Sequence, residues 1–337
     1  MPDILGPDLY LCIYLLVFAR DTLSPIQRWA VYVLSWWAIT SHSSHLLVAL
    51  GLCAFLTLLA SVTSNLVRRN LTPAIELTAV IALAVGAQTA LNAFLYGKPS
   101  LSGDRPPFLT ARVIADGPGR WYLQNHCATA EWEICNYAKS LPQDLEGSSN
   151  WILWDPNGVW MRATMDARER LLRQDAPFAV AAFRAYPREQ IEKAASNFWM
   201  QIVSFQLEDL KRHTVVMDHI GEVLPRERLS YLQSRQARNQ LPNRLFTSIL
   251  YCAVALSLLA IAAFAVWSRK TYPPRLLRLG LVIFSVVTIN AFVTGTLSTV
   301  NSRYECRVIW LVPLFAGLCV SDWQARHSAK PALRMRS

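Results

Sequence analysis

Charge is what this chain is short of. Asp, Glu, Lys and Arg make up only 17% of it, where a soluble domain carries about a quarter. The deficit is uneven: charges are sparse over 1–96 and 245–320 and ordinary between them. A single soluble domain is thereby excluded, and the pattern is that of a polytopic membrane protein with one extramembranous domain. Other signatures are missing too. There is no glycine-rich loop of the kind that cradles nucleotide phosphates, and no repeat of fixed period. Met1-Pro2-Asp3 lacks the positive start of a secretory signal, and Arg20 follows the first apolar run instead of preceding it. No cofactor is expected. The net charge of +10 does not point to nucleic acid, because the basic residues gather at the ends of apolar segments.

Seven apolar runs are present: Ile4–Ala19, Arg28–Thr40, His45–Val62, Pro73–Leu95, Leu245–Trp267, Leu276–Val300 and Val308–Val320. Trp29, Trp36 and Trp37 suit interface anchors, and Pro73 suits a first helical turn. If the Arg68/Arg69 loop is cytoplasmic, strict alternation sends Arg20/Arg28, the Arg269–Arg278 loop and the tail bearing Arg326, Lys330, Arg334 and Arg336 to the same side. Four basic clusters agree with that one orientation. The expected fold is therefore an all-α polytopic membrane protein of about seven transmembrane helices with a mainly α-helical extracytoplasmic domain. Residues 1–96 form four spans, 97–244 the exported domain, 245–322 three spans and 323–337 a basic cytoplasmic tail. The N-terminus falls outside. A short first helix there with no signal fits two readings equally: an ordinary N-out protein, or a chain whose further helices lie upstream.

The insert reads as mostly helical. Gly117-Pro118-Gly119 turns into a helix through Trp121, Tyr122 and Leu123, and Thr129 is placed to cap another that ends before Pro142. Trp151–Trp154 is a strand or a buried loop, closed by the turn Asp155–Gly158. Met165–Arg173 and Pro177–Ala185 are helices. Pro187 opens one whose apolar face would be Ile191, Ala194, Ala195, Phe198, Ile202 and Phe205. Arg226–Gln240 is a last polar helix.

Candidate sites follow from position. Cys127 and Cys135, eight apart, are expected to oxidise to a disulfide outside the cytoplasm; two buried thiols, or a metal site with His126, are the alternatives. No second ligand pair has zinc-site spacing, so no metal is expected. His42 and His45 at the outer mouth of the second and third helices suit a metal, a phosphate or an acceptor hydroxyl, or else cap helix ends. Glu76, Gln88, Asn92 and Asn290 are polar within apolar runs and mark either a functional path or interhelical hydrogen bonds. Arg303 and Arg307, with Tyr304 between them, are basic in an outer turn against the inside bias. They fit a lipid-linked phosphate, or an ion pair with Glu305 or an insert carboxylate. His42, His45, Asn92 and Arg303 are expected to share one cavity beneath the insert.

The turn Ser302-Arg303-Tyr304, followed by Pro313 within the last apolar run, resembles type-C polyprenyl-linked glycosyltransferases over about twenty residues. Pro106–Arg112 and Ala115–Arg120 resemble a group of proteobacterial polytopic inner-membrane proteins, a likeness that brings no activity with it. The first resemblance implies an envelope enzyme, or part of one, acting on a polyprenyl-phosphate-linked sugar. Such enzymes carry an acidic motif in their first outer loop, whereas Ser41–Ser44 has no carboxylate. The second implies an inner-membrane protein, multi-pass, with membrane lipids as its surroundings. The alternative functions are a non-catalytic envelope protein whose insert binds a partner, and third a transporter. The sequence names no catalytic residue, substrate or protein partner.

Overall fold

The computed structural model describes residues 4–62, 71–97, 99–101, 103–207, 220–268 and 272–328. Arg68, Arg69, Lys98, Arg269, Lys270 and the tail beyond Ser328 lie outside these. Among the described residues the structure is helical, without strands. Internal contacts divide the chain into two compact units, Met1–Ile202 with Thr288–Val300, and Val203–Val287 with Asn301–Ser337.

The first unit opens with α1 (Leu5–Phe18), α2 (Pro25–Ser41), α3 (Ser43–Val62) and α4 (Leu71–Tyr96). The start of α2 is set by a capping box: Ser24 Oγ accepts from Gln27 N, and the Gln27 side chain accepts from Ser24 N, with Pro25 at the first position. Leu9, Ile13 and Leu16 of α1 are fully buried, and α1 packs on α2, which in turn packs on α3 and α4.

The helical insert follows as α5 (Phe108–Asp116), α6 (Pro118–His126), a 3₁₀ segment Glu133–Ser140, α7 (Leu145–Leu153), α8 (Val159–Arg162), α9 (Met165–Ala185) and α10 (Pro187–Val203). Its core joins Ile114, Leu123, Ile134, Ile152, Leu171 and Phe178. The Phe178 ring meets Tyr122 and Trp132 edge-on at 5.7 and 5.6 Å. Burying one such ring stabilises by about 1.5–3 kcal/mol.

Four local expectations change here. Trp151–Leu153 is helical, because Asp144 accepts from Gly147 N and caps α7. Thr129 caps no helix; its hydroxyl and its N–H both turn back to the His126 carbonyl. The stretch after it is held by Gln174, whose amide bridges Glu133 N and Glu131 O. Met165–Ala185 is one helix that carries Pro177 inside it; the proline leaves the carbonyl four residues earlier without its helical donor and does not end the helix. Finally, the expected polar helix over 226–240 narrows to α11 (Arg228–Gln233).

The second unit holds α11, α12 (Asn243–Ser268), the first part of α13 (Pro274–Leu297), α14 (Ser302–Ile309) and α15 (Leu311–Ser328). α12 packs along α15, and their ends meet through Trp267, Trp323 and His327.

Four stretches among the described residues are long and apolar enough to cross a membrane. They are Thr72–Tyr96, Asn243–Ser268, Pro274–Leu297 and Ser302–Ser328, with mean hydropathies of 1.7, 2.6, 2.1 and 1.4. Leu5–Phe18 and Ser43–Leu59 are shorter apolar helices. Leu258, Leu259 and Val266 of α12, among others, are exposed large apolar side chains, as lipid-facing positions are.

Candidate functional site

Asp116 is the polar focus of the insert. It ends α5 and is 2% exposed. Arg112, one turn earlier on the same helix, donates to its Oδ1 through Nε at 3.0 Å and again through Nη2. Asn197 Nδ2 donates to Oδ1 at 2.9 Å, and Gln190 Nε2 to Oδ2 at 2.8 Å. Arg112 Nη1 reaches the Ser298 carbonyl at 3.4 Å. The carboxylate thus collects donors from α5 and α10, and its arginine touches the chain just past α13. Asp116 and its three donor side chains, Arg112, Gln190 and Asn197, are all buried, which makes the set a closed clamp. Burying a charge requires such pairing, since isolation there costs several kcal/mol.

A second buried carboxylate does related work. α5 begins behind Pro107, which has no side chain to cap it. Asp175 of α9 supplies the cap instead: Thr110 N donates to its Oδ1 at 2.8 Å, and Arg105 Nη2 stands 3.4 Å from Oδ2. Burial pushes the Asp175 carboxyl above its ordinary range, partly opposed by the Thr110 N–H and Arg105. Arg120 anchors the next turn, donating to Ser148 Oγ at 2.7 Å and to the Pro142 and Gln143 carbonyls.

Cys127 and Cys135 are joined by a disulfide, with Cα atoms 5.5 Å apart. It ties the end of α6 to the 3₁₀ segment. Among the described residues no group of three or more His, Cys, Asp or Glu is placed to hold a metal ion.

The residues singled out in the sequence fall in different places. His45 is fully buried. Its Nδ1 lies 2.8 Å from the Ala38 carbonyl; a carbonyl only accepts, so Nδ1 carries the proton. Its other edge packs on Gly6, where a Cβ would come within 3.0 Å of Nε2. His42 follows the last turn of α2, with Nδ1 2.8 Å from Ser44 Oγ, and the two imidazoles are 5.4 Å apart. Gln88 Nε2 donates to the Thr40 carbonyl at 2.9 Å and so closes the end of α2. Asn92 Nδ2 donates to the Ser100 carbonyl at 2.8 Å, holding the loop that leaves α4. Glu76 accepts from Arg20 Nε at 3.0 Å and from Tyr32 OH at 2.6 Å. A groove of about 1110 Å³ runs beside this trio between α2 and α4, walled mainly by Trp29, Val33, Trp36, Leu83 and Gly86.

Arg303, Tyr304 and Arg307 belong to the second unit, on α14. Asn301 caps that helix by accepting from Arg303 N at 2.9 Å. Arg307 is buried, its guanidinium 5.5 Å over the Tyr304 ring. Ser302 Oγ donates to Gln206 Oε1 at 2.6 Å, and Cys306 Sγ approaches the Phe205 carbonyl at 3.0 Å. The structure therefore brings His42 and His45 together, with Asn92 elsewhere in the same unit, and Arg303, Tyr304 and Arg307 together in the other. Asp116, Arg112, Gln190 and Asn197 are not among the candidates that position in the sequence singles out. Their signal was the i,i+4 pair Arg112/Asp116 and the polar row Gln190, Asn197 and Gln201 on one helix.

Comparison of the chain with family models, curated proteins and solved structures finds no match.

Proposed function

We propose that this is a multi-pass inner-membrane protein of the bacterial envelope, with its helical insert outside the cytoplasm, and that it acts by binding rather than by catalysis. The observation that carries the second half is how the polar side chains near the spans are engaged. His45, Gln88 and Asn92 each bond a backbone carbonyl of their own unit, and Asp116 is met by donors on both oxygens. These are the habits of positioning groups, not of acids, bases or nucleophiles awaiting substrate. The disulfide in the insert supports the compartment, since such bonds persist in oxidising surroundings. The four long apolar helices support the membrane setting. The partner is a protein component of the envelope, met by the insert.

A thermal-shift series in detergent tests the reading. Addition of a polyprenyl phosphate should leave the Tm of the wild type unmoved. A rise in Tm that is present in the wild type and lost in Arg303→Lys, which keeps the charge and loses the planar fork, would move the assignment to the glycosyltransferase-like enzyme that the Ser302-Arg303-Tyr304 resemblance implies.

A further inference from the structure

Helix α10 is inside out. Its buried residues are Gln190, Asn197 and Gln201, while Trp199 is 66% exposed and Met200 and Val203 are exposed beside it. A helix on a water-soluble domain buries its apolar stripe and shows its polar one. The physical cause lies on the inner side, where Asn197 and Gln190 turn in to donate to Asp116. That leaves the outer side to the remaining residues. Those residues are not uniform along the axis. In the first half the outer side is mainly charged, with Ile191 the one exposed large apolar side chain there: Arg188 pairs with Glu192 at 2.9 Å and Lys193 follows. In the last two turns it is Trp199, Met200 and Val203. The helix is polarised end to end.

Its apolar end has a fixed level along α13. A Cβ on Gly295 would lie 2.9 Å from the Asn197 carbonyl oxygen and 2.9 Å from Gln201 Cβ. Only glycine allows two helices to pass this closely. Gly295 stands two residues before the last residue of α13, Leu297, hence about 3 Å along the axis from its end. Trp199 lies between Asn197 and Gln201 in sequence, on a helix about 10–12 Å across, so it sits within roughly one helix diameter of the point where α13 stops. α13 itself shows Phe292 and Leu297 as exposed apolar residues near that end, so both helices carry exposed apolar side chains at about the same level.

We propose that the C-terminal half of α10 lies in the interface of the bilayer that α13 crosses, with Trp199 and Met200 seated at the headgroup–acyl boundary and the Arg188–Lys193 half in water. The occupant of the exposed face is lipid. Tryptophan is the side chain most at home in that layer, with an apolar body and one N–H donor, and a helix with one polar and one apolar aspect is held there by buried apolar area. The proposal rests on α13 being a membrane span.

The test uses the full chain reconstituted in phosphatidylcholine–phosphatidylglycerol vesicles. Cys12, Cys53, Cys252, Cys306 and Cys319 are replaced by alanine or serine, which leaves the disulfide intact. Single cysteines are then introduced by Trp199→Cys, Met200→Cys, Lys193→Cys or Phe292→Cys and labelled with an environment-sensitive fluorophore. Labels at 199 and 200 should shift to the blue and be quenched by lipids spin-labelled near the headgroup, as expected for a group at that boundary. The label at 193 should respond to aqueous iodide instead, and the label at 292 to spin-labelled lipid. If one of the two α10 variants fails to assemble, the other reads the same face. Quenching by lipid at 292 with only iodide quenching at 199 and 200 overturns the proposal and leaves the span standing; the face is then in water or against protein. Indifference to lipid at 292 removes the span and the proposal together.

Discussion

Asp116 is a buried carboxylate that meets donors on both oxygens. Replacing it with alanine leaves Arg112 buried without its carboxylate, and breaking a buried pair from one side costs about 3–5 kcal/mol. The double change Arg112→Leu with Asp116→Leu removes both charges and should cost well under the sum of the two single losses. Thermal unfolding of the four variants in detergent checks this; additive losses would mean that the two residues do not act as a pair. Asp175 makes a pH prediction. Its folded pKa is raised above the ordinary 3.8, first by burial, so the folded state holds its proton more tightly than the unfolded chain does. That contribution is fully present below the unfolded pKa and is lost as pH rises through the folded one. The stability difference between wild type and Asp175→Asn should therefore move against the wild type as pH climbs from below the ordinary carboxylate range. A flat difference across that window would contradict it. The Cys127–Cys135 bridge closes a separation of eight residues, for which loop entropy gives about 2.5 kcal/mol. Reduction should lower the midpoint of the insert's unfolding accordingly, read by circular dichroism with and without reductant.

Among the elements, two glycines mark close approaches to or by α13 within the first unit. At Gly51 of α3 a Cβ would come within 2.8 Å of Ile289 Cγ2 on α13, and Gly295 meets α10 as described. Gly295→Val forces α10 away from α13 and should cost about 1–3 kcal/mol as an overpacking change, with weakened protection of α10 amides in hydrogen exchange. Unchanged protection would mean that the contact holds nothing. The elements also show how far the chain could be read unaided. Long apolar runs announced their helices because a 20-residue apolar stretch has few other folds, and Pro187 opened α10 where a first-turn proline belongs. The insert was harder. The pattern of Trp151–Trp154 fits a strand or a buried loop because its aromatic and β-branched content outweighs the signal of the cap at Asp144. Apolar periodicity points Ile191 and Phe198 of α10 inward, because such periodicity ordinarily marks the buried face. Here three amide side chains and a carboxylate form the buried set, and no periodicity rule ranks polar residues for burial. The candidate site was legible as residue types near the apolar runs. Their engagement with Ala38, Thr40 and Ser100 carbonyls was not, since those partners lie in local turns that pattern alone leaves open.

For the whole molecule, the account stands on a membrane setting and on one side of it. Four long apolar helices support the membrane setting, the disulfide in the insert supports an oxidising compartment for it, and the orientation proposed above rests on the basic clusters at the ends of the apolar runs. Fusion of alkaline phosphatase after Asp104, within the polar segment that follows α4, measures this most directly, because that enzyme folds only in an oxidising compartment. The account predicts high phosphatase activity there, and a fluorescent cytoplasmic reporter fused after Ser268 that is bright. An inactive phosphatase at Asp104, expressed at the same level and with the cytoplasmic reporter bright at that position instead, would place the insert inside and contradict the account.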